Sequence, residues 1–347
     1  MKDPLYELLL WRLVNAPMDG SALEPVNSQA ILSAELAIRQ YAWRSEILDD
    51  AYLGSAPTML SNGERLLLHW LARDYPLQCG VIVDAGCFLG GSTLAFATGL
   101  ALRKNIRSTD KIHSYDIFLA PNDNYSLGLI GARRPGESVL DIFVDHLRGY
   151  ERFLVVHSGD ILLAPPPAAS IDILFIDIAK TNKINSYLLR NFFSRLVPGG
   201  LVIQQDFNDH SCPWVNASMG YLANYFDALA DDGSSRVYIY RGGLTSEVLE
   251  AAAVLTLQEQ YKLMQDSAVS MTVFPAYFTR ISAAWVLFAL EGLDGALAYL
   301  DRLDNEHPQP WQSTEKYSDL VRRSMRYLQD ISGLNNYQQS YFDDISV

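Results

Sequence analysis

From about residue 62 to residue 240, apolar runs alternate with stretches whose apolar positions recur every three or four residues. Short apolar runs bounded by turn formers mark strands buried on both faces, and the wider spacing marks helices with one core-facing side. Val81–Val83, Lys111–Phe118, Phe153–Val156, Ile171–Ile176, Leu201–Gln205 and Val237–Tyr240 read as strands. Between them, helices are expected at Leu66–Leu71 behind a Ser61-Asn62-Gly63-Glu64 capping box, and over Thr93–Arg103, Ser138–Tyr150, Asn182–Leu196 and Trp214–Leu229. This alternation predicts a doubly wound α/β sheet.

Both flanks read as helical. Asp3 before Pro4 suits a helix start, and Leu5, Leu8, Leu9, Trp11 and Leu13 form an apolar stripe. A polar stretch, Asp19–Ser28, leads to a second helix over Gln29–Leu48. Beyond residue 243, Thr245 or Ser246 caps a helix reaching about Met264, followed by helices over Tyr277–Leu303 and Thr314–Ile331. Gly333 closes the last of these, and a frayed tail is expected after Asn335. The chain divides into an N-terminal helical extension (1–60), a central α/β domain (61–243) and a C-terminal helical extension (244–347). The additions are open to a role as a cover for a pocket or as a homodimer contact.

With 347 residues, 49% of them hydrophobic, the chain can bury a substantial core. A net charge of −13 argues against a phosphate-binding surface, so no nucleic-acid partner is expected. Cys79, Cys87 and Cys212 lack metal-site or disulfide spacing, which suits a reducing cytoplasm. Neither export nor a membrane span is expected, because the first residues lack a basic stretch leading into an apolar core and a cleavage site, and no run approaches ~18 apolar residues.

Candidate chemistry starts at Gly80–Thr93, GVIVDAGCFLGGST, where a strand runs through an acid and a glycine turn into a helix. Gly86 and Gly90 let the backbone approach a ligand, and Ser92 or Thr93 can cap a helix whose free N–H groups suit an anionic group. A dinucleotide loop, G-x-G-x-x-G, would need glycine at Phe88. The sequence instead reads D-x-G-x-x-x-G-G-S-T and resembles motif I of the class I S-adenosylmethionine (SAM) methyltransferases, in particular the small-molecule enzymes of antibiotic tailoring.

That resemblance extends over residues 62–243 and includes the Pro198-Gly199-Gly200 turn before the fifth strand. It implies a Rossmann-like, mostly parallel seven-stranded sheet, with SAM held by Asp84, Gly86, Gly90, Ser92, Asp116 and Asp160. Asp116 would bind the ribose and Asp160 the adenine amine. Residues 119–136 read as a lid in which Arg133 and Arg134 could face an acidic substrate.

Asp177 and Asp206 end neighbouring strands, within possible reach of one hard cation such as Mg2+. The spacing Asp177-Ile178-Ala179-Lys180 is similar to that of cation-dependent catechol and caffeoyl-CoA O-methyltransferases, which implies Lys180 as a base. That family's Asp-Asn pair departs here to Asp206-Phe207, and the Asp-Asp-Tyr of macrolide-sugar enzymes to Gln205-Asp206-Phe207. A metal role and a hydrogen-bonding role are therefore both open to the two acids. His210 is the competing base. The expected activity is O-methylation of a small-molecule acceptor, a sugar or natural product. A nicotinamide-dependent oxidoreductase and a non-catalytic SAM-binding module are the rival readings.

Overall fold

The computed structural model describes residues 28–46, 56–122, 124–131, 133–313 and 315–342. The helix expected over Leu5–Leu13 lies outside them, and the one expected over Gln29–Leu48 stops at Arg39, with a separate 3-10 turn over Ala42–Ser45 after left-handed Tyr41. The described chain opens with helix α1 (Ser28–Arg39), then α2 (Asn62–Asp74), whose Ser61–Glu64 capping box forms as read. Strand β1 (Val81–Ala85) leads to α3 (Gly91–Leu102) and β2 (Lys111–Asp116). Short helices α4 (Asn124–Leu129) and α5 (Leu140–His146) precede β3 (Leu154–Ser158) and β4 (Ile171–Ile176). Helix α6 (Asn182–Asn191), β5 (Leu196–Gln204), α7 (Pro213–Tyr221), β6 (Phe226–Asp232) and β7 (Ser235–Tyr240) complete the central part. Four helices follow: α8 (Ser246–Ala253), α9 (Leu257–Ser270), α10 (Val273–Glu306) and α11 (Tyr317–Phe342).

The seven strands form one sheet in the order β3-β2-β1-β4-β5-β7-β6. The first five are parallel, while β7 runs antiparallel to both β5 and β6. This is the mostly parallel, Rossmann-like sheet expected. Alternate strand residues face opposite layers. Ile82, Ile112, Ile173 and Phe175 pack with α1, α2 and α3 on one face, and Val83, Leu174, Ile176 and Val202 pack with α6, α7 and α8 on the other.

Several sequence boundaries are corrected. The helix expected over Trp214–Leu229 ends at Tyr221, and Phe226–Asp232 is an edge strand with a bulge between Ala228 and Ala230. Its acids hold neighbouring elements: Asp232 accepts from Trp43 Nε1 at 2.8 Å, and Asp227 pairs with Arg241, which also reaches Glu35 on α1. The helix expected to reach Met264 is two helices, the second restarted by a capping box of Thr256 and Glu259. Helix α11 runs through Gly333 to Phe342, where a frayed tail was expected. Helix α10 is long and apolar enough to cross a membrane by length and composition, contrary to the sequence reading, but 72% of its most apolar window is buried within the protein.

Helices α2 and α3 touch where Gly99 faces the backbone of His69; a Cβ there would strike His69 O and lie 2.8 Å from Ala72 Cβ. Replacing an unhindered helical glycine by alanine ordinarily stabilises by ~0.5–1 kcal/mol. At this position overpacking outweighs that gain, and Gly99→Ala is expected to destabilise by about 1–3 kcal/mol in urea denaturation. An unchanged or higher midpoint would contradict the close approach.

Candidate active site

The C-terminal ends of β1 to β5 form one rim. Hydrogen bonds continue past the strand ends: Gly86 N–H donates to Tyr115 O (2.8 Å), Gly159 N–H to Asp116 O (2.9 Å), Asp177 N–H to Ala85 O (2.7 Å) and Gln205 N–H to Ile176 O (3.0 Å). The strand order reverses between the parallel strands β1 and β4, which is where open α/β sheets bind ligands. Gly86 sits at this reversal with φ 100°, and a Cβ on it would lie 2.5 Å from Asp177 O. Only glycine fits both the dihedral and the space.

The glycine turn then reaches α3 through Phe88, whose φ of 43° is left-handed, and Gly90, at φ 94°. Phe88 N–H donates to Asp116 Oδ2 at 2.9 Å, and Phe118 N–H to Asp116 Oδ1 at 2.7 Å. The Asp116 carboxylate is thereby fixed at the end of β2 beside the turn. Burial pushes its pKa up, and the two N–H donors oppose that shift. His146 binds Leu89 O through Nδ1 at 2.8 Å, and Thr58 packs on Gly91. Ala56, Phe118, Val139 and Phe143 form a small apolar cluster around the turn with Cys87 and Leu89.

Asp84 and Ser92 do not face this rim. Asp84 is fully buried inside β1, and Ser92 Oγ (2.8 Å) and Thr93 Oγ1 donate to it. The two residues, expected as cofactor contacts, form a clamp between β1 and the first turn of α3, whose N-cap is Gly90. Asp160 is exposed after β3, and its Oδ1 accepts from Leu162 N–H at 2.9 Å. The 119–136 segment is pinned at its neck by Ala120–Glu137 and Gly136–Ala120 backbone bonds. Arg133 there is paired with Asp141 on α5. A surface depression of about 610 Å³ lies along α5, lined by Leu140, Asp141, Val144 and Asp145 with Arg133 at its edge, and shares no residue with the rim.

Asp177, Lys180 and Asp206 do come together. Lys180 Nζ lies 2.7 Å from Asp177 Oδ1 and 2.8 and 2.7 Å from the two oxygens of Asp206. Trp214 Nε1 holds the intervening loop through Ala179 O at 2.7 Å, and Thr181 caps α6 directly after Lys180. Sequence reasoning missed Gln205: in the amide orientation that satisfies both partners, its nitrogen donates to Asp177 Oδ1 (3.1 Å) and Asp206 Oδ1 (2.8 Å). Desolvation works against the ammonium, but the two carboxylates overcome it and hold Lys180 well above the ordinary lysine range. An ammonium in that state has no lone pair, so Lys180 as placed is a cation and not the expected base.

The residues present do not fit the expected Mg2+. A hard cation needs oxygen ligands at about 2.0–2.6 Å, whereas the space between the acids is filled by the Lys180 ammonium. Phe207 is fully buried against Tyr238, and Asn208 turns away to bind Asp231 at 3.1 Å. Among the described residues no group of three or more His, Cys, Asp or Glu side chains is arranged to hold a metal.

His210 also departs from its expected role. Its Nδ1 accepts from Trp285 Nε1 at 3.0 Å, and burial lowers its pKa, with Asp209 opposing. The neutral ring therefore carries its proton on Nε2 and is a donor there. Trp285 stacks on it and Tyr317 meets it edge-on, while Ser282 Oγ binds Asp209 O at 2.8 Å. The C-terminal helices α10 and α11 thus hold the loop that follows β5.

No family model matches the chain, and no curated protein matches it. Solved structures similar to it include the calicheamicin methyltransferase CalS11, at 16% identity over 65% of this chain and 99% of that one, with a TM-score of 0.40. The O-methyltransferase NovP is 16% identical over 61% of this chain and 81% of its own, at 0.36. A methyltransferase from Geobacter sulfurreducens is 18% identical over 67% and 96%, at 0.34.

Burial pushes the Asp84 carboxyl up to about 7 from an ordinary 3.8, against the hydroxyls of Thr93 and Ser92. The native state then keeps this proton over a range where the unfolded chain has released it. Stability is expected to fall as pH rises from about 4 to about 7, by up to ~1.4 kcal/mol per pH unit from this group, and then to level off. Urea denaturation across that range should show the slope flattened in Asp84→Asn; an equal slope in both proteins would contradict the burial argument.

Proposed function

We propose that this chain is a SAM-dependent methyltransferase that methylates an oxygen of a small molecule, a sugar or natural product. One observation carries the reading: the glycine turn at the β1/β4 reversal is joined through Phe88 N–H to the Asp116 carboxylate. Carboxylate oxygens accept more than one hydrogen bond, so Asp116 remains able to take ribose hydroxyls. The same bond disfavours a dinucleotide, because Phe88 N–H, which could greet a pyrophosphate, is already engaged and a phenyl ring stands where a glycine is needed.

In this reading Gly86 and Gly90 give the ligand access to backbone, Asp116 takes the ribose, and Asp160 at the end of β3 takes the adenine amine. SAM, when bound, supplies a methyl group on a sulfonium. The protein's own task is to hold the acceptor in line and to receive its hydroxyl proton. With Lys180 already protonated and His210 a donor at Nε2, the rim carboxylates Asp177 and Asp206 are the groups able to accept that proton. Burial raises both carboxyls against the pull of Lys180.

Calorimetric titration with S-adenosylhomocysteine tests the reading. Saturable binding is expected for the wild type, weakened at least about tenfold in Asp116→Ala, the equivalent of ~1.4 kcal/mol or more. A flat wild-type trace, or equal affinity in the variant, would overturn it.

A further inference from the structure

The expected divalent cation and the side chains found between Asp177 and Asp206 disagree, and the disagreement is itself informative. Lys180 Nζ has three N–H donors, and three carboxylate oxygens lie at 2.7, 2.7 and 2.8 Å from it. These are the lengths of charge-assisted bonds. The ammonium is delivered by a short loop fixed at both ends: Asp177 is tied to Ala85 O by the continuing ladder, and Thr181 begins α6. A divalent ion entering the same space would have to displace the ammonium or sit beside it, where like charges repel strongly in a partly buried setting. With Lys180 in place, Gln205 in the amide orientation that satisfies both partners adds an N–H directed at the same two carboxylates.

The next three positions after Asp206 are directed elsewhere. Phe207 is buried in the core with the Arg236 guanidinium 5.0 Å from its ring centroid, and the Asn208 amide binds Asp231. Asp209 is committed elsewhere, accepting from Ser211 N–H at 2.7 Å and Ser211 Oγ at 2.6 Å, with Tyr317 OH at 3.4 Å from its other oxygen.

We infer that Lys180 is the resident cation of this rim: its side chain takes the place of a divalent ion between Asp177 and Asp206, and the protein works without one. The charge of the acid pair is balanced from within the chain, at a fixed position, whatever the metal supply. Removing that charge should leave two adjacent carboxylates with an opening between them, a site of the kind that hard cations occupy.

The test reads cation binding directly, so its failure and a failure to bind S-adenosylhomocysteine are separate results. Full-length wild type is titrated with Mn2+ by calorimetry and by the loss of the free-ion electron paramagnetic resonance signal. No saturable binding is expected at millimolar Mn2+, and no rise in Tm with Mg2+. Lys180→Met should gain one Mn2+ site, at least about tenfold tighter than any wild-type binding, and Lys180→Met with Asp206→Asn should lose it again. Lys180→Arg, which keeps the charge, should remain without a site. Stoichiometric wild-type binding abolished by Asp206→Asn would overturn the inference, as would a folded Lys180→Met that binds no Mn2+. If Lys180→Met does not fold, the wild-type and Lys180→Arg titrations decide alone, and Mn2+ binding to either overturns it.

Discussion

The rim depends on hydrogen bonds that run on beyond the strands proper. Parallel strands place side chains at regular intervals, but loops at their ends normally drift. Here Gly86, Gly159, Asp177 and Gln205 each donate a backbone N–H to the adjoining strand, so the first residues past four strand ends keep the sheet's register. Gly86 makes this possible at the centre, because any side chain at its position would collide with the Asp177 carbonyl. With that contact in place, the turn toward α3, the Asp116 carboxylate and the Asp177–Lys180 loop are fixed relative to one another.

Around this rim the rest of the chain acts mainly as support. Asp84 lies one layer below it and, with Ser92 and Thr93, clamps the first turn of α3 to β1. Helix α1 closes the far side of the sheet through Glu35 and Arg241. Helices α10 and α11 reach the rim itself, gripping the loop after β5 through Ser282, Trp285 and Tyr317. The terminal additions are therefore joined to the sheet and to the loop bearing Asp206, and the lines drawn at residues 60 and 243 cross packed contacts: Ala56 packs in the cluster around the glycine turn, and Leu249 beneath β5.

Much of the fold could be read from the sequence because buried parallel strands are nearly pure apolar runs. β6 could not: FDALADD is an edge strand whose acids serve Trp43, Arg44 and Arg241, so it carries neither an apolar run nor a clean alternation. The break between α8 and α9 was available in Thr256-Leu257-Gln258-Glu259, a capping box masked by continuous helical spacing on either side. Asp84 lies inside β1, one residue before its end, where it is fully buried and bonded by Ser92 and Thr93, a placement that the motif spacing does not show. Asp116, Asp160, Asp177 and Asp206 were located correctly as strand-end residues. What the spacing could not show is that Lys180, 26 positions before Asp206, turns its ammonium onto that acid, or that His210 meets Trp285 from a helix 75 residues further on. Both depend on how distant elements pack.

The account's central claim is that the crevice at the β1/β4 reversal binds SAM through the glycine turn and Asp116. A crystal structure of the protein grown with S-adenosylhomocysteine tests it most directly. The account predicts the nucleoside along the rim, its ribose on the Asp116 carboxylate and its adenine toward Asp160. Density elsewhere, or an empty crevice at saturating ligand, would contradict it.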